Sequence, residues 1–445
     1  MNKADAIAAL ATAPGRAAIG IVRVSGTDLE QLVCGIAGRA LPPRQATFTD
    51  FLGGDGTILD SGIALYFPAP HSYTGEDVLE LQGHGGPAVL GMVLQRCVAL
   101  GARLAHPGEF SQRAYLNGKL DLAQAESVAD LIEASTEAAA FAALRSLKGE
   151  FSAAVQQVGS DITDLRIFLE AGIDFPEDTN HENDDATLRT RVKQLRAEVV
   201  RIAKLAAAGS RLRNGVHAVI LGQPNVGKST LLNCLAREDI AIVTPIPGTT
   251  RDTVGVDIAV RGVPIHLTDT AGLRKTDDLV ELEGISRTWR TAEASQVALL
   301  VFDARVGRTQ ADDEILARLP SSTWKLAVAN KIDMAERPPG VLIRDGLVEV
   351  AVSAKSGAGI DLLCQSLVDV IGGIATQEGA FMARERHLEA LRSATIHLEA
   401  GLLTNQAEVL AEELRLARVA LGAIIGDLVP DDLLGQIFSR FCIGK

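Results

Sequence analysis

A glycine-rich segment at residues 222–230, GQPNVGKST, constrains this chain more than any other feature. It follows an apolar run at residues 217–221 and precedes a helical pattern at residues 229–235, the order of strand, loop and helix that a phosphate-binding loop requires. Gly222 and Gly227 permit a tight turn that points successive backbone N–H groups inward, where a helix N-terminus adds partial positive charge. We therefore predict a nucleotide-binding domain.

The residues of this loop have separate predicted roles. Lys228 reaches the β- and γ-phosphates, and the hydroxyl of Ser229 ligates Mg²⁺. The predicted nucleotide contacts in the loop are Asn225, Val226, Gly227, Lys228, Ser229 and Thr230.

The segment Asn330-Lys331-Ile332-Asp333, directly after an apolar run, predicts which base is bound. The carboxylate of Asp333 can accept hydrogen bonds from N1–H and the exocyclic amine of guanine, whereas adenine offers no such pair of donors. A site whose polar groups are left unmatched rejects the wrong ligand strongly. We therefore predict GTP as substrate, bound by Asn330, Lys331 and Asp333 and by a loop of Ser353, Ala354 and Lys355 that closes over the base.

Two segments between these motifs are predicted to sense the γ-phosphate. Thr250 would be the second hydroxyl ligand of Mg²⁺, and Asp269, after a strand, its outer-shell carboxylate. Such loops are ordered by phosphate and Mg²⁺ and released on hydrolysis. The predicted contacts are Thr244, Pro245, Ile246, Pro247, Gly248, Thr249 and Thr250 in the first segment and Asp269, Thr270, Ala271 and Gly272 in the second.

Leu273 stands where Ras-like enzymes carry the glutamine that orients the attacking water. An aliphatic side chain cannot orient water, so another group must do so. The following segment offers four acids, and spacing alone does not choose among them: Asp277, Asp278, Glu281 and Glu283. Glu281 is the preferred catalytic residue.

Composition limits the remaining classes. The 445 residues carry 43 basic and 56 acidic side chains, a net charge of −13, which argues against nonspecific nucleic-acid binding and makes any RNA contact local. No apolar run of about 18 residues exists to span a bilayer, and the start of the chain is not typical of a signal peptide. The five cysteines are widely spaced, which favours a reducing cytoplasm and argues against zinc.

Hydrophobic patterns divide the chain into four segments. Residues 1–118 mix short strands and helices in an α+β pattern, and residues 119–214 are helical. The nucleotide-binding domain covers residues 215–376, and helical patterns resume at residues 377–445. The nucleotide domain is thus predicted to be inserted into a discontinuous helical domain.

Motifs along the whole chain resemble the MnmE (TrmE) family of tRNA-modification GTPases. They are APGR (13–16), VRVSG (22–26), YTGED (73–77), ELQGHGG (80–86), PGEF (107–110), KLDLAQAE (119–126), IDFP (173–176), DLLGQIF (432–438) and the terminal FCIGK (441–445). The resemblance implies a multidomain α/β plus α fold with an N-terminal folate-binding-like domain that forms a homodimer, a discontinuous helical domain and an inserted Ras-like GTPase domain.

The resemblance also implies ligands in the N-terminal domain. Arg23, Glu80, Lys119 and the terminal Lys445 match the family's contacts to a tetrahydrofolate, in the 5,10-methylene or 5-formyl form. A carboxylate with several cations suits the planar ring and anionic tail of a folate. For Cys442, a redox or nucleophilic role and plain packing both stay open.

The resemblance further implies how the GTPase works. K⁺ replaces an arginine finger, held by Asn225, Thr249 and the carbonyls of Thr244 and Ile246, and Glu281 matches the catalytic acid. With a FAD-dependent partner, MnmG (GidA), in a heterotetramer, the family adds an aminomethyl or carboxymethylaminomethyl group to the wobble uridine of certain tRNAs.

Two rival classes of GTPase would need sequence features that this chain lacks. A ribosome-assembly GTPase would need a second phosphate loop or a basic G-x-x-G loop after the GTPase unit. A membrane-remodelling GTPase would need a spanning or basic amphipathic helix, whereas the C-terminal helices are acidic.

Overall fold

The computed structural model describes residues 5–174, 181–237, 255–269, 289–371, 379–427, 431–439 and 441–444. The chain divides into two compact units. Unit 1 comprises Met1–Ala129, Leu147–Leu195 and Ile396–Lys445, and unit 2 comprises Asp130–Ser146 and Arg196–Thr395. The division into four segments stays a prediction, and each unit is described by itself.

The described strands are β1 Ile7–Leu10, β2 Ile19–Gly26, β3 Thr47–Leu52, β4 Ile58–Phe67, β5 Asp77–His84, β6 Arg103–Leu104, β7 Val216–Leu221, β8 Gly255–Val260, β9 Val263–Asp269, β10 Val297–Asp303, β11 Trp324–Asn330, β12 Gly340–Arg344 and β13 Leu347–Ala351. The described α-helices are α1 Glu30–Ala37, α2 Pro87–Ala99, α3 Glu109–Leu116, α4 Leu122–Glu133, α5 Glu137–Leu147, α6 Glu150–Asp174, α7 His181–Asn214, α8 Lys228–Arg237, α9 Gln310–Arg318, α10 Ile360–Val370, α11 Glu385–Leu403, α12 Ala407–Ile425 and α13 Asp431–Phe438.

The sheet of unit 1 has the strand order β3-β4-β5-β2-β1-β6. All neighbouring strands are antiparallel except β1 and β6. Side chains alternate between its faces, so Val22 and Leu81 pack into a core with α1 and α2, whereas Arg23 and Glu80 lie on the opposite face. The α+β pattern predicted for the start of the chain is confirmed.

Helices complete unit 1. α6 and α12 pack along each other, and both bury an apolar stripe at helical spacing, for example Val155 and Ile162 on α6 and Leu414 and Leu421 on α12. The short helix α13 packs against α3. The chain end is therefore held against the N-terminal part of the same unit.

The sheet of unit 2 has the order β12-β13-β11-β10-β7-β9-β8. Its five central strands run parallel, and β12 and β8 are antiparallel edge strands. All residues from Val297 to Phe302 in β10 are buried, which is typical of a strand covered on both faces. The carboxyl ends of β7, β10 and β11 meet at one edge, where an α/β sheet binds its ligands.

Residues outside the predicted GTPase segment, most of them in helices, share the core of unit 2. Ala142 of α5, Leu212 of α7 and Met382 belong to the same apolar cluster as Val216 and Val328 of the sheet. The strands that carry the nucleotide loops are thus stabilised by flanking helices.

A buried carboxylate links three chain segments that flank the predicted GTPase domain. Asp130 is 3% exposed and accepts hydrogen bonds from Nε of Arg213 (2.8 Å) and Nη2 of Arg384 (2.9 Å). These ion pairs fix the helix that leads into β7.

In the part of the chain that the structure describes, no helix has the length and apolar character needed to cross a membrane.

Candidate functional site

The phosphate-binding loop lies between β7 and α8, in the predicted order. Gly222, Asn225 and Gly227 have φ values of +140°, +64° and +95°. A Cβ at Gly222 would lie 2.1 Å from the carbonyl oxygen of Val301, and one at Gly227 would lie 2.4 Å from Nδ2 of Asn330. Because backbone and buried atoms stand at those distances, both positions require glycine.

Lys228 lies across this loop. It is only 9% exposed, and its Nζ donates hydrogen bonds to the carbonyls of Gly222 (2.9 Å) and Gln223 (3.1 Å). Ser229 and Thr230 follow in the first turn of α8 and are exposed. An ammonium beside a helix N-terminus suits phosphate, and an accessible hydroxyl oxygen suits Mg²⁺. The described residues therefore fit a magnesium nucleotide, and Ser229 is placed where it would hold the metal.

Asn330 ties the loop at residues 330–333, called the base-reading loop because it is predicted to bind guanine, to two neighbouring loops. Its side chain is buried at 2% exposure, Nδ2 donates to the carbonyl of Val226 (2.9 Å), and Oδ1 accepts from the backbone N–H of Ala354 (3.0 Å). An amide side chain supplies both the donor and the acceptor. Asn330 thus brings together three segments that the sequence predicted to contact one nucleotide.

Asp333 lies in a 3₁₀ turn, Ile332–Met334, just after β11. Its Oδ1 accepts a hydrogen bond from the hydroxyl of the buried Ser353 (2.6 Å), and Ser353 in turn accepts one from the backbone N–H of Ser356 (3.2 Å). Asp333 itself is exposed, as is Lys355. The carboxylate is therefore oriented by Ser353 while still accessible to a base.

Lys331 connects this loop directly to the phosphate loop and also pairs with Asp303, a residue that the sequence analysis did not predict. Its Nζ donates to the carbonyl of Asn225 (2.5 Å) and forms an ion pair with Asp303 (3.1 Å). Asp303 also accepts hydrogen bonds from the side chain and the backbone N–H of Arg305. These bonds and the one from Lys331 hold the pKa of Asp303 well below its ordinary value. The sequence feature that could have indicated Asp303 is an apolar run that ends in a carboxylate, at Val297–Asp303.

Most of the predicted γ-phosphate and K⁺ contacts belong to segments outside the described residues. The backbone of Asp269 ends β9, and its Cα is paired with that of Ile220, close to the start of the phosphate loop. The following predicted residues lie outside the described residues: Thr244, Pro245, Ile246, Pro247, Gly248, Thr249, Thr250, Thr270, Ala271, Gly272 and Glu281. Their roles stay predictions.

In unit 1, two of the four predicted folate residues lie together. Arg23 and Glu80 are direct cross-strand partners on β2 and β5, and Oε1 of Glu80 accepts from Nε of Arg23 (2.9 Å) and lies 2.8 Å from its Nη2. The guanidinium lies 5.4 Å from the ring centroid of Tyr73 and 5.9 Å from that of Phe110. This arrangement offers charge and aromatic surface side by side.

The chain end lies beside this pair, because Nη1 of Arg23 approaches the carbonyl of Gly444 (3.5 Å). Lys119 is exposed and donates to the carbonyl of Pro70 (3.1 Å). Cys442 is exposed, and its carbonyl accepts from the N–H of Gly108 (3.4 Å). Lys445 lies outside the described residues. The structure thus brings Arg23, Glu80 and the terminal segment together and shows no contact of Lys119 with them among the described residues.

A buried ion-pair network supports this part of unit 1. Glu109 begins α3 and pairs with Arg103 (2.5 Å) and Arg113 (3.0 Å), and Arg113 also pairs with Glu76 (2.9 Å). Burial would raise the pKa of Glu109, but hydrogen bonds from Arg103, the backbone of His106 and Arg113 lower it to about 2. The network fixes the helix that carries Phe110 next to Arg23.

Comparisons with known proteins cover the whole chain. Residues 6–119 match the family model described as GTP-binding protein TrmE N-terminus, and residues 122–442 match that described as MnmE helical domain. The tRNA modification GTPase MnmE of Laribacter hongkongensis is 53% identical over 449 residues, covering 99% of each chain. That of Nitrosospira multiformis is 53% identical over 452 residues, covering 100% of each.

Among solved structures, a variant of Aquifex aeolicus Era bound to GDP and AlF4⁻ is 26% identical and covers 43% of this chain and 68% of that one, with a TM-score of 0.29. That score is too low to support an inference. The family models and the full-length relatives are sufficient: the chain belongs to the MnmE (TrmE) family of tRNA modification GTPases.

Proposed function

We propose that this protein is a K⁺-dependent GTPase that modifies tRNA together with a FAD-dependent partner of the MnmG (GidA) type. The pair would install an aminomethyl or carboxymethylaminomethyl group at C5 of the wobble uridine, with a one-carbon unit from methylene-tetrahydrofolate, while GTP hydrolysis drives a conformational cycle. The observation that carries the proposal is 53% identity, over the full length, to relatives named tRNA modification GTPase. A homodimer and a heterotetramer with the partner are part of the proposal.

In the GTPase, the described side chains bind and orient the nucleotide. Lys228 and the N-terminus of α8 meet the phosphates, and Asp333, oriented by Ser353, accepts from guanine. Magnesium, when bound through Ser229 and Thr250, neutralises phosphate charge. Glu281 would orient the attacking water, which Leu273 cannot do.

Asn225 supports the potassium requirement. It is exposed, lies in the phosphate loop with positive φ, and its amide oxygen is the kind of ligand an alkali cation takes. Potassium supplies, when bound, the positive charge of an arginine finger, which contributes about 10³ to 10⁵ in rate where it is known. The other proposed ligands are Thr244, Ile246 and Thr249.

Turnover measured in KCl, RbCl and NaCl at equal ionic strength tests this requirement. We expect Rb⁺ to replace K⁺ because the ions are similar in size, and Na⁺ to fail. Asn225→Ala should lower the K⁺-dependent rate, while the exposed Lys204→Ala serves as a surface control. Equal turnover in saturating Na⁺ and K⁺ would contradict the proposal.

The Arg23–Glu80 pair supports folate binding. The pair lies beside two aromatic rings and the terminal backbone, which together suit a planar donor and acceptor ring. Calorimetric titration with 5-formyl-tetrahydrofolate should show binding that Glu80→Ala weakens and that Arg39→Ala, an exposed control in the same unit, leaves unchanged. Absence of binding to the wild-type protein would overturn this part of the proposal.

The modification reaction needs its own assay. The purified protein, the flavin-dependent partner and tRNA from cells lacking the modification would be incubated with GTP, K⁺ and methylene-tetrahydrofolate, followed by nucleoside mass spectrometry. We expect a modified wobble uridine only when both proteins and GTP are present. Product formed without this protein would refute the assignment.

A further inference from the structure

The base-reading loop is joined to the phosphate loop by two adjacent side chains. Asn330 donates to the carbonyl of Val226, and Lys331 donates to the carbonyl of Asn225. Asn330 is buried and held on both ends of its amide, whereas Lys331 has a flexible side chain and a left-handed backbone with φ +65°. The Lys331 bond therefore needs something else to hold the ammonium in place.

Asp303 is the group that can do so. It is the last residue of β10, and its Cα is paired with that of Asn330 in parallel β11, so its side chain emerges at the same edge of the sheet. Oδ2 of Asp303 lies 3.1 Å from Nζ of Lys331, and the carboxylate side chain is only 11% exposed. The charge of Asp303 thus faces the ammonium from a largely buried position.

Arg305 fixes the carboxylate in turn. Its backbone N–H and Nε both donate to Oδ1 of Asp303 (3.0 Å each), and its Nη2 donates to Oδ2 (2.7 Å). A carboxylate that accepts a forked guanidinium and a backbone N–H has little rotational freedom. The chain of contacts therefore runs from Arg305 through Asp303 and Lys331 to the carbonyl of Asn225.

We propose that Asp303 is a positioning residue for guanine nucleotide. It holds Lys331 on the carbonyl of Asn225, so that the base-reading and phosphate loops are already in register when the nucleotide arrives. Binding then costs less ordering of side chains and loops. Asp303 touches neither the reacting phosphate nor the attacking water in this role, so it should affect nucleotide affinity and not the chemical step.

The change in nucleotide affinity on loss of the Asp303–Lys331 contact can be predicted. A hydrogen bond to a charged group contributes roughly 1.5 to 3 kcal/mol, which corresponds to about a 10- to 150-fold change in affinity. We expect Asp303→Asn to raise Kd for GDP and GTP by at least about tenfold, through faster dissociation, with kcat at saturating GTP unchanged. Asp303→Glu should restore part of the affinity because it keeps the charge.

The experiment measures dissociation of a fluorescent GDP by stopped flow, with steady-state kcat and KM, for full-length Asp303→Asn, Asp303→Glu and Lys331→Met and for the double variant Asp303→Asn/Lys331→Met. Asp345→Asn is the matched control, since Asp345 also pairs with an arginine of unit 2 (Arg308, 2.6 Å) but is 69% exposed. Thermal unfolding of each nucleotide-free protein accounts for any loss of folded protein.

Faster dissociation in Asp303→Asn that vanishes in the Lys331→Met background would support the proposal, because the two residues then act in one chain. Unchanged dissociation in Asp303→Asn, or an equal effect with and without Lys331, would overturn it. The inference rests on guanine-nucleotide binding alone: a wild-type protein that fails to bind GDP would remove that premise, whereas failure of the potassium, folate or tRNA assays would leave this result intact.

Discussion

The backbone positions the side chains of the nucleotide loops and those of the Arg23–Glu80 pair in different ways. In the nucleotide site, Lys228, Asn330 and Lys331 donate to main-chain carbonyls of loops at the ends of parallel strands. Arg23 and Glu80 instead meet in the middle of two antiparallel strands, where the ladder itself sets their separation.

This difference determines how each site responds to substitution. Loop side chains that bond backbone carbonyls shape the site as well as contact the ligand, so removing one also disturbs its neighbours. The cross-strand pair lies on a ladder of backbone hydrogen bonds that a side-chain change leaves in place. A single substitution in the nucleotide loops should therefore reduce function steeply, whereas one in the Arg23–Glu80 pair should reduce ligand binding gradually.

The largest effect is expected for Lys228→Met. The side chain spans the phosphate loop and in the proposed role also supplies charge to the phosphates, and loss of one such group typically costs on the order of 10² to 10³ in rate. Phosphate-release kinetics should show that drop in kcat/KM, while 5-formyl-tetrahydrofolate titration stays at the wild-type value. Lys204→Met is the control. A variant with nearly normal turnover would remove Lys228 from the site.

Glu109→Gln tests whether buried ion pairs, and not the ladder alone, stabilise the Arg23 region. The ordinary pKa of 4.5 falls to about 2 in the folded protein, so Glu109 contributes about 3 kcal/mol of stability above pH 4.5. Because the folded pKa is the lower one, this contribution is lost as pH falls from 4.5 towards 2.

The measurement is denaturant unfolding of wild type and Glu109→Gln at pH 7 and pH 3, with hydrogen exchange assigning the transition to unit 1. The difference in unfolding free energy should shrink at the lower pH. Glu198→Gln, which breaks the exposed pair with Arg201, should change little. An identical difference at both pH values would contradict the role of the charge.

The smallest effect is expected for Arg23→Lys. Lysine keeps the charge but loses the planar fork whose Nε and Nη2 both approach Glu80. We expect about tenfold weaker folate binding, equivalent to about 1.4 kcal/mol, with unchanged thermal unfolding and GTP turnover. A drop in unfolding temperature would show that the pair supports the sheet itself and would weaken the contrast between the sites.

Local patterns predicted much of this molecule. The order of strand, glycine loop and helix around Lys228, and the apolar strand before Asn330, are properties of consecutive residues, and the structure places both loops at one sheet edge. The α+β pattern of residues 1–118 predicted short strands, but not that Arg23 would face Glu80, because register depends on which strands pair.

By itself, the sequence determined the fold classes and the family and predicted the guanine-binding and phosphate-binding motifs, since each motif depends on residues close together in the chain. Only the tertiary structure decided that Asp303 holds Lys331, that Glu109 and Arg113 support the Arg23 region, and that Asp130 joins Arg213 and Arg384, which are 83 and 254 residues away. The physical reason is that buried charges are stabilised only by partners nearby in space. Strand order and helix packing bring those partners together, and neither can be read from local spacing.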